Sequence, residues 1–191
     1  VNENPNDFEL HKDVGLRLMW LTLDGYLQYQ AKAEELLEHA FDLNPTDRDL
    51  NRMLGRFYNM RAVAGDSSKA KKQIQVYSAL LNIPKGEKLS EEKILTLSDS
   101  DFVAYSFWSL GVIIDYKHRG NLIGALKAIF NLEKVLKKRI AKQPDNMENY
   151  ALAGNYAFFF AGYLPFGRKS RVEDGVRYFE KLRANWSSLR L

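Results

Sequence analysis

Along most of the chain, apolar positions return every three or four residues, the spacing of one face of an α-helix. Phe8 to Leu23 predicts a first helix, with Leu10, Val14, Leu16, Leu18, Trp20 and Leu21 apolar and Asp24-Gly25 as the turn that ends it. Leu27 to Leu43 predicts a second, with Ala33, Leu37, Ala40 and Phe41 inward. Asn44-Pro45 stops it, because the residue before proline avoids the helical region. Thr46 or Asp47 is placed to cap a third helix, Leu50 to Val63, by accepting from free amides of its first turn. Gly65 to Ser68 is a loop, and Ala70 to Leu81 a fourth helix closed by Ile83-Pro84.

Lys85 to Leu97 is less regular, with a short helix predicted from Ser90. Ser98-Asp-Ser-Asp101 reads as an N-cap; no further ligands are spaced around it to make a metal site. Phe102 to Tyr116 carries Tyr105, Phe107, Trp108, Leu110, Val112, Ile113 and Ile114 with few charges, which predicts the most buried helix. Leu122 to Ala141 follows, with Leu126, Ile129, Phe130, Leu132, Leu136 and Ile140 inward. Its cations Lys134, Lys137, Lys138, Arg139 and Lys142 gather where the helix dipole favours them. After Pro144-Asp145, Leu152 to Leu182 predicts a helix, a break at Tyr163-Leu-Pro-Phe-Gly167, and a second helix over Val172 to Leu182. Ala153, Gly154, Ala157 and Ala161 form a stripe of small residues on the first of these, flanked by Phe158, Phe159, Phe160 and Tyr163. Residues 1–7 read as a polar spacer, 8–185 as one helical-repeat domain, and 186–191 as a tail.

Internal similarity narrows the class. Leu54-Gly55 with Tyr58, Phe107 with Leu110-Gly111 and Ile114, and Tyr150 with Ala153-Gly154 and Ala157 repeat one pattern. Ala33 with Leu37 and Ala40, Ala125 with Ile129, and Gly175 with Phe179 repeat its second half, and Pro45, Pro84 and Pro144 close units. Small residues sit where two helices of a hairpin cross, and large ones fill the hollows beside them. The expected fold is all-α: an array of antiparallel helical hairpins that resembles a degenerate tetratricopeptide solenoid.

Composition changes this picture mainly by exclusion. The 191 residues are 46% hydrophobic and 13% aromatic, enough for a core, yet no run of about 18 apolar residues exists to span a membrane. With no cysteine, disulfides and zinc–thiolate sites are excluded. The net charge of +4 is not gathered into an Arg-rich block, so no nucleic-acid partner is expected. His11, His39 and His118 are the only histidines; Glu35 and His39 stand at i, i+4, but without a second pair they read as a surface contact. No Gly-rich phosphate loop, Gly-x-Ser-x-Gly elbow or spaced Ser/His/Asp set occurs. No catalytic residue, metal or cofactor is therefore expected, and the chain reads as non-enzymatic.

Binding surface is the better expectation. Phasing from Gly55, Gly111 and Gly154 puts Arg52, Arg56, Asn59, Tyr105, Trp108, Asp115, Asn155, Phe158 and Phe159 on a concave groove, with core packing as the alternative for the aromatics. Arg52, Arg56 and Asn59 are poor core residues, since isolated polar and charged groups are costly to bury. Tyr163, Phe166, Arg168 and Arg171 form a second candidate patch on the loop of the last hairpin, against the alternative of a solvated loop.

Three stretches carry a closer resemblance: Asp101-Phe-Val-Ala-Tyr105-Ser-Phe-Trp108, Gln143-Pro-Asp145, and Tyr163-Leu-Pro165-Phe-Gly167 followed by Glu173 to Glu180. Together, over Asn44 to Leu182, they resemble the T component of tripartite ATP-independent periplasmic (TRAP) transporters. That resemblance implies a periplasmic or outer-envelope helical protein that can form a homotrimer. It also implies a periplasmic solute-binding protein as partner, and a ligand that is passed or sheltered. The chain departs from the pattern at Arg168-Lys-Ser-Arg171, where a Gly-Gly segment is expected, and it lacks an anchoring cysteine; a lipid anchor would belong to a segment preceding Val1. The alternative reading is a generic adaptor, cytoplasmic, that binds peptide segments in its groove.

Overall fold

The computed structural model describes residues 4–164 and 166–185, and among them the regular structure is helical, with no strand. The elements are α1 (Phe8–Leu23), a 3₁₀ turn (Leu27–Tyr29) leading into α2 (Gln30–Leu43), α3 (Arg48–Val63), α4 (Lys69–Leu81), α5 (Glu91–Leu95), α6 (Asp99–His118), α7 (Leu122–Lys142), α8 (Met147–Tyr163) and α9 (Arg168–Ala184). Local chemistry sets the starts. Asp7 accepts from the Leu10 amide at 3.0 Å, Asp47 from Leu50 at 2.7 Å, and Asn146 from Glu148 at 3.1 Å. Ser98 accepts from the Asp101 amide at 3.2 Å, as the N-cap reading expects. Part of the stretch read as a spacer is tied down: the Pro5 carbonyl accepts from His39 Nε2 at 2.6 Å. The tail at 186–191 and Pro165 lie outside the described residues.

The all-α expectation holds, and most predicted boundaries fall within about a turn of the observed ones. The largest departures are α8, which begins at Met147, not at Leu152, and α9, which begins at Arg168, not at Val172. Apolar periodicity starts only at Val172, so the polar run before it reads as loop. Gly167, at φ 69°, turns the chain directly into the helix, a conformation that glycine adopts at no steric cost.

Two compact units form. The first holds the chain up to Lys88 together with Ala104–Asn121, so it contains α1 to α4 and most of α6. The second holds Leu89–Val103 and the chain from Leu122 onward, hence α5, the start of α6, and α7 to α9. In the first unit, α1 packs on α2 and α3 on α4; the core joins Met19, Leu37, Phe41, Leu50, Leu54, Phe57, Tyr58 and Val76. In the second, α8 packs on α9 and on α7, and α5 packs on α7.

Each hairpin has a crossing too close for a β-carbon. A Cβ on Gly15 would stand 2.8 Å from the Leu37 side chain, and one on Gly55 2.5 Å from the Tyr77 ring. A Cβ on Gly154 would stand 2.7 Å from Phe179, and one on Gly175 3.0 Å from Phe158. The last two lock reciprocally, with Phe158 and Phe179 stacked at 5.8 Å between their glycines. Gly111, in phase in the sequence, meets Gln73 and Ile74 of α4 at 3.2 Å.

Buried charge ties helices together. Glu34 on α2, only 9% exposed, accepts from Arg61 on α3 and from Lys69 and Lys72 on α4. Glu38, one turn on, accepts from Tyr58 and Lys72. In the second unit Arg139, read from sequence as a dipole-facing cation, is 1% exposed. It pairs with Asp99 at 2.8 Å, donates to the Leu95 carbonyl at 3.3 Å, and lies 4.6 Å from the Phe102 ring. One side chain thus fastens α7 to the end of α5 and the start of α6.

Two predictions follow from this packing. Gly55→Ala and Gly154→Ala should each destabilise by about 1–3 kcal/mol in urea melts, the usual cost of overpacking, despite alanine's better helix propensity. Burial works against the Glu34 carboxylate, but hydrogen bonds from Lys69 and Lys72 outweigh it and hold the group at about 2, below its ordinary 4.5. A carboxyl depressed on folding stabilises above its unfolded value, and that stabilisation is lost as pH falls from about 4.5 toward 2. Melting temperatures from pH 6 to 2 should therefore fall more steeply for the native chain than for Glu34→Gln. At neutral pH that variant should cost about 3 kcal/mol.

Candidate functional site

The first unit gathers six of the groove residues on two helices. Arg52, Arg56 and Asn59 lie on α3, and Tyr105, Trp108 and Asp115 on α6. The amide of Gln73, fully buried on α4, joins these helices: Nε2 donates to Asn59 Oδ1 at 3.1 Å and to the Phe107 carbonyl at 2.6 Å. Arg56 is exposed, and its charge acts on the nearby Tyr77 phenol, whose pKa burial pushes well up. Arg52 is half-buried and reaches Asp49 at 3.5 Å.

The aromatics are packed inside. Tyr105 and Trp108 are 3% and 7% exposed and stack with centroids 5.9 Å apart, and Trp108 Nε1 donates to Ser78 Oγ at 2.9 Å. Asp115 is buried and paired with Arg119. The two aromatics therefore follow the core alternative, Asp115 is buried where a groove position was expected, and Arg56 is the open one of the six. The Gln73 Oε1 and the Tyr77 hydroxyl, both buried, find no hydrogen-bond partner among the described residues, so this polar layer gives up stability.

Asn155 and Phe159 belong to the second unit, on α8. Asn155 is exposed; Phe159 is half-buried, stacked on Tyr163 at 5.2 Å and edge-on to Phe160 at 5.5 Å. Phe158 is 39% exposed, its ring lying against Gly175.

The patch expected on a loop is only partly a loop. Tyr163 ends α8 and Phe166 is exposed in the connection, but Arg168 to Arg171 form the first turn of α9. Cations there oppose the helix dipole. Arg168 and Lys169 remain in solvent, while Arg171 is neutralised from outside its helix. Its Nε and Nη2 meet the two carboxylate oxygens of Glu133 on α7 at 2.8 and 3.4 Å, and Nη1 donates to the Phe166 carbonyl at 3.1 Å. Arg171 is thus a clamp on the α8–α9 connection, and Arg168 with Phe166 is the accessible part of the patch.

Beside that clamp, α7, α8 and α9 line a solvent-open cavity of about 160 Å³. Leu136, Ala153 and Ala157 give it an apolar lining; Ala153 and Ala157, one turn apart, leave the space that larger residues would fill. Charged lining comes from the Glu133–Arg171 pair and from Lys137 and Asp174, which face each other at 3.9 Å. Burial and then the Asp174 charge push the Tyr178 phenol up, keeping it protonated. Glu133, Lys137, Asp174 and Tyr178 were missed in the sequence. Their signal is spacing: Glu133 with Lys137 and Asp174 with Tyr178 each stand at i, i+4, so two helices present matched polar faces.

Elsewhere, His11 and His39 lie with ring centroids 4.5 Å apart and their planes tilted at 55°, and Glu35 pairs with Lys32 at 2.6 Å. Among the described residues no group of three histidine, cysteine or acidic side chains is arranged to hold a metal ion, and no helix is long and apolar enough to cross a membrane. Comparison with protein-family models, with curated proteins and with solved structures finds no match to this chain.

The clamp makes a prediction. Arg171→Ala leaves Glu133 without its partner and the Phe166 carbonyl without its side-chain donor, so the first turn of α9 should fray. Amide exchange at residues 171–174, the first hydrogen-bonded amides of α9, should accelerate at least about tenfold, with total stability lower by about 1–3 kcal/mol.

Proposed function

We propose that this chain is a non-enzymatic binding protein of the cell envelope, accessory to TRAP-type solute uptake, that docks a periplasmic solute-binding protein. The observation that carries the reading is the accessible start of α9. Phe166 (48% exposed), Val172 and Val176 offer apolar area there, beside the solvated charges of Arg168 and Lys169. Exposed aromatic and aliphatic groups rimmed by cations suit a protein partner with an acidic surface, in which arginine and phenylalanine act as anchors. The sequence resemblance supplies the class of partner, the periplasmic location and the trimer as parts of the same proposal. Burial of Tyr105 and Trp108 leaves the start of α9, rather than the aromatic groove, as the contact of the docking reading.

The test is calorimetry with the solute-binding protein encoded beside this chain. Weak binding is expected at low ionic strength, and it should weaken as salt shortens the screening length to a few ångströms near 1 M. Arg168→Ala with Lys169→Ala should reduce the association rate several-fold, since rim charges act mainly on encounter. If no binding occurs at high concentration and low salt, while unrelated C-terminal peptides bind near Arg56, the adaptor reading replaces this one.

A further inference from the structure

We infer that the cavity between α7, α8 and α9 is a binding site for a small zwitterion, of the size and character of an aliphatic α-amino acid. The inference rests on the cavity alone and holds whether or not a solute-binding protein docks at α9.

Charge balance selects the ligand class. The cavity is lined by two carboxylates, Glu133 and Asp174, and two cations, Lys137 and Arg171. A lone anion entering it meets Lys137 and Arg171 but also both carboxylates, and a lone cation meets the reverse. A molecule that carries both charges a few ångströms apart gains both attractions. It also leaves no protein charge without an opposite neighbour.

The two protein pairs are not equivalent. Glu133 and Arg171 are closed by two contacts, with the Arg171 side chain 11% exposed. Lys137 and Asp174 stand 3.9 Å apart, with the Lys137 side chain 63% exposed. Such a pair contributes little and opens at little cost. Asp174 also keeps Oδ1 on Arg177 while Oδ2 faces Lys137. An ammonium group can therefore take Oδ2 as Lys137 swings to the ligand carboxylate, one ion pair becoming two. The Ser170 and Tyr178 side chains, also in the lining, provide hydroxyl donors for that carboxylate.

Size follows from the apolar part. About 160 Å³ is close to the roughly 150 Å³ of an engineered cavity that admits benzene. A branched aliphatic side chain fits against Leu136, Ala153 and Ala157 with its charged groups toward the open side, whereas a sugar ring would set hydroxyls against that apolar surface.

L-Valine is the probe, titrated into the full chain at low salt and neutral pH while amide and methyl resonances are followed. Isobutylamine and isobutyrate, which each carry one of its charges on the same branched skeleton, run in parallel. Saturating shifts at Ala153, Ala157 and Tyr178 are expected in the millimolar range, with each analogue weaker by about tenfold or more. Lys137→Ala, a change at an exposed side chain that leaves the packing intact, should weaken valine by about tenfold as well. Three results would each overturn the inference: no saturating shift at these residues by about 50 mM valine, equal binding of the singly charged analogues, or unchanged binding in Lys137→Ala.

Discussion

Two helices of a hairpin can approach closely only where one of them offers no side chain, and the hairpins here are built on that contact. Gly15 receives Leu37, Gly55 receives the Tyr77 ring, and Gly154 receives Phe179, each closer than a β-carbon would tolerate. The large side chain seated on the bare backbone fixes how far along and how far around each helix pair meets. The other contacts inherit that placement. In the first unit it sets α2, α3 and α4 at distances where Arg61, Lys69 and Lys72 can all reach Glu34. In the second it lets Phe158 and Phe179 interlock and holds α9 where Arg171 can reach Glu133.

Buried charge supplies a second kind of constraint. Packed glycine crossings place two helices through apolar contact, whereas a carboxylate or guanidinium out of water must also keep its compensating partners. Glu34 and Arg139 each take partners from two other elements, so they penalise alternative pairings more than they add stability. The same logic governs the ends of α7 and α9. There the Glu133–Arg171 pair is closed and structural, while Lys137–Asp174 is long, solvated and open to exchange. A tight pair beside a loose one is what gives the cavity a rigid wall and a responsive one.

Much of the fold was legible because helix boundaries have local causes. Prolines at 45, 84 and 144, the caps at Asp47 and Ser98, and the 3.6-residue pattern are all visible in the chain. Gly15 was legible and missed: it precedes Gly55 by 40 residues, and each stands 22 before its large partner (15 to 37, 55 to 77). What failed was inference from one face of one helix. Tyr105, Trp108 and Asp115 were placed by their phase from Gly111 alone, but α4 covers Trp108 through Ser78, and Asp115 turns to its own Arg119. The start of α9 was hidden because a glycine in the left-handed region, not a periodic apolar residue, begins it. The cavity was hidden for a third reason. Its lining comes from three helices, and no single helix shows that two small residues on α8 face charges on α7 and α9.

The glycine crossing can be tested against its own partner by a double-mutant cycle between Gly55→Ala and Tyr77→Leu. If the Tyr77 ring on bare backbone fixes the α3–α4 crossing, the added β-carbon should cost much less once the ring is gone. The two changes should then couple by about 1–3 kcal/mol in the relieving sense, as residues in direct contact do. Strictly additive effects, within about 0.3 kcal/mol, would mean that Gly55 and Tyr77 do not meet in solution, and would contradict this account of how the hairpins are held.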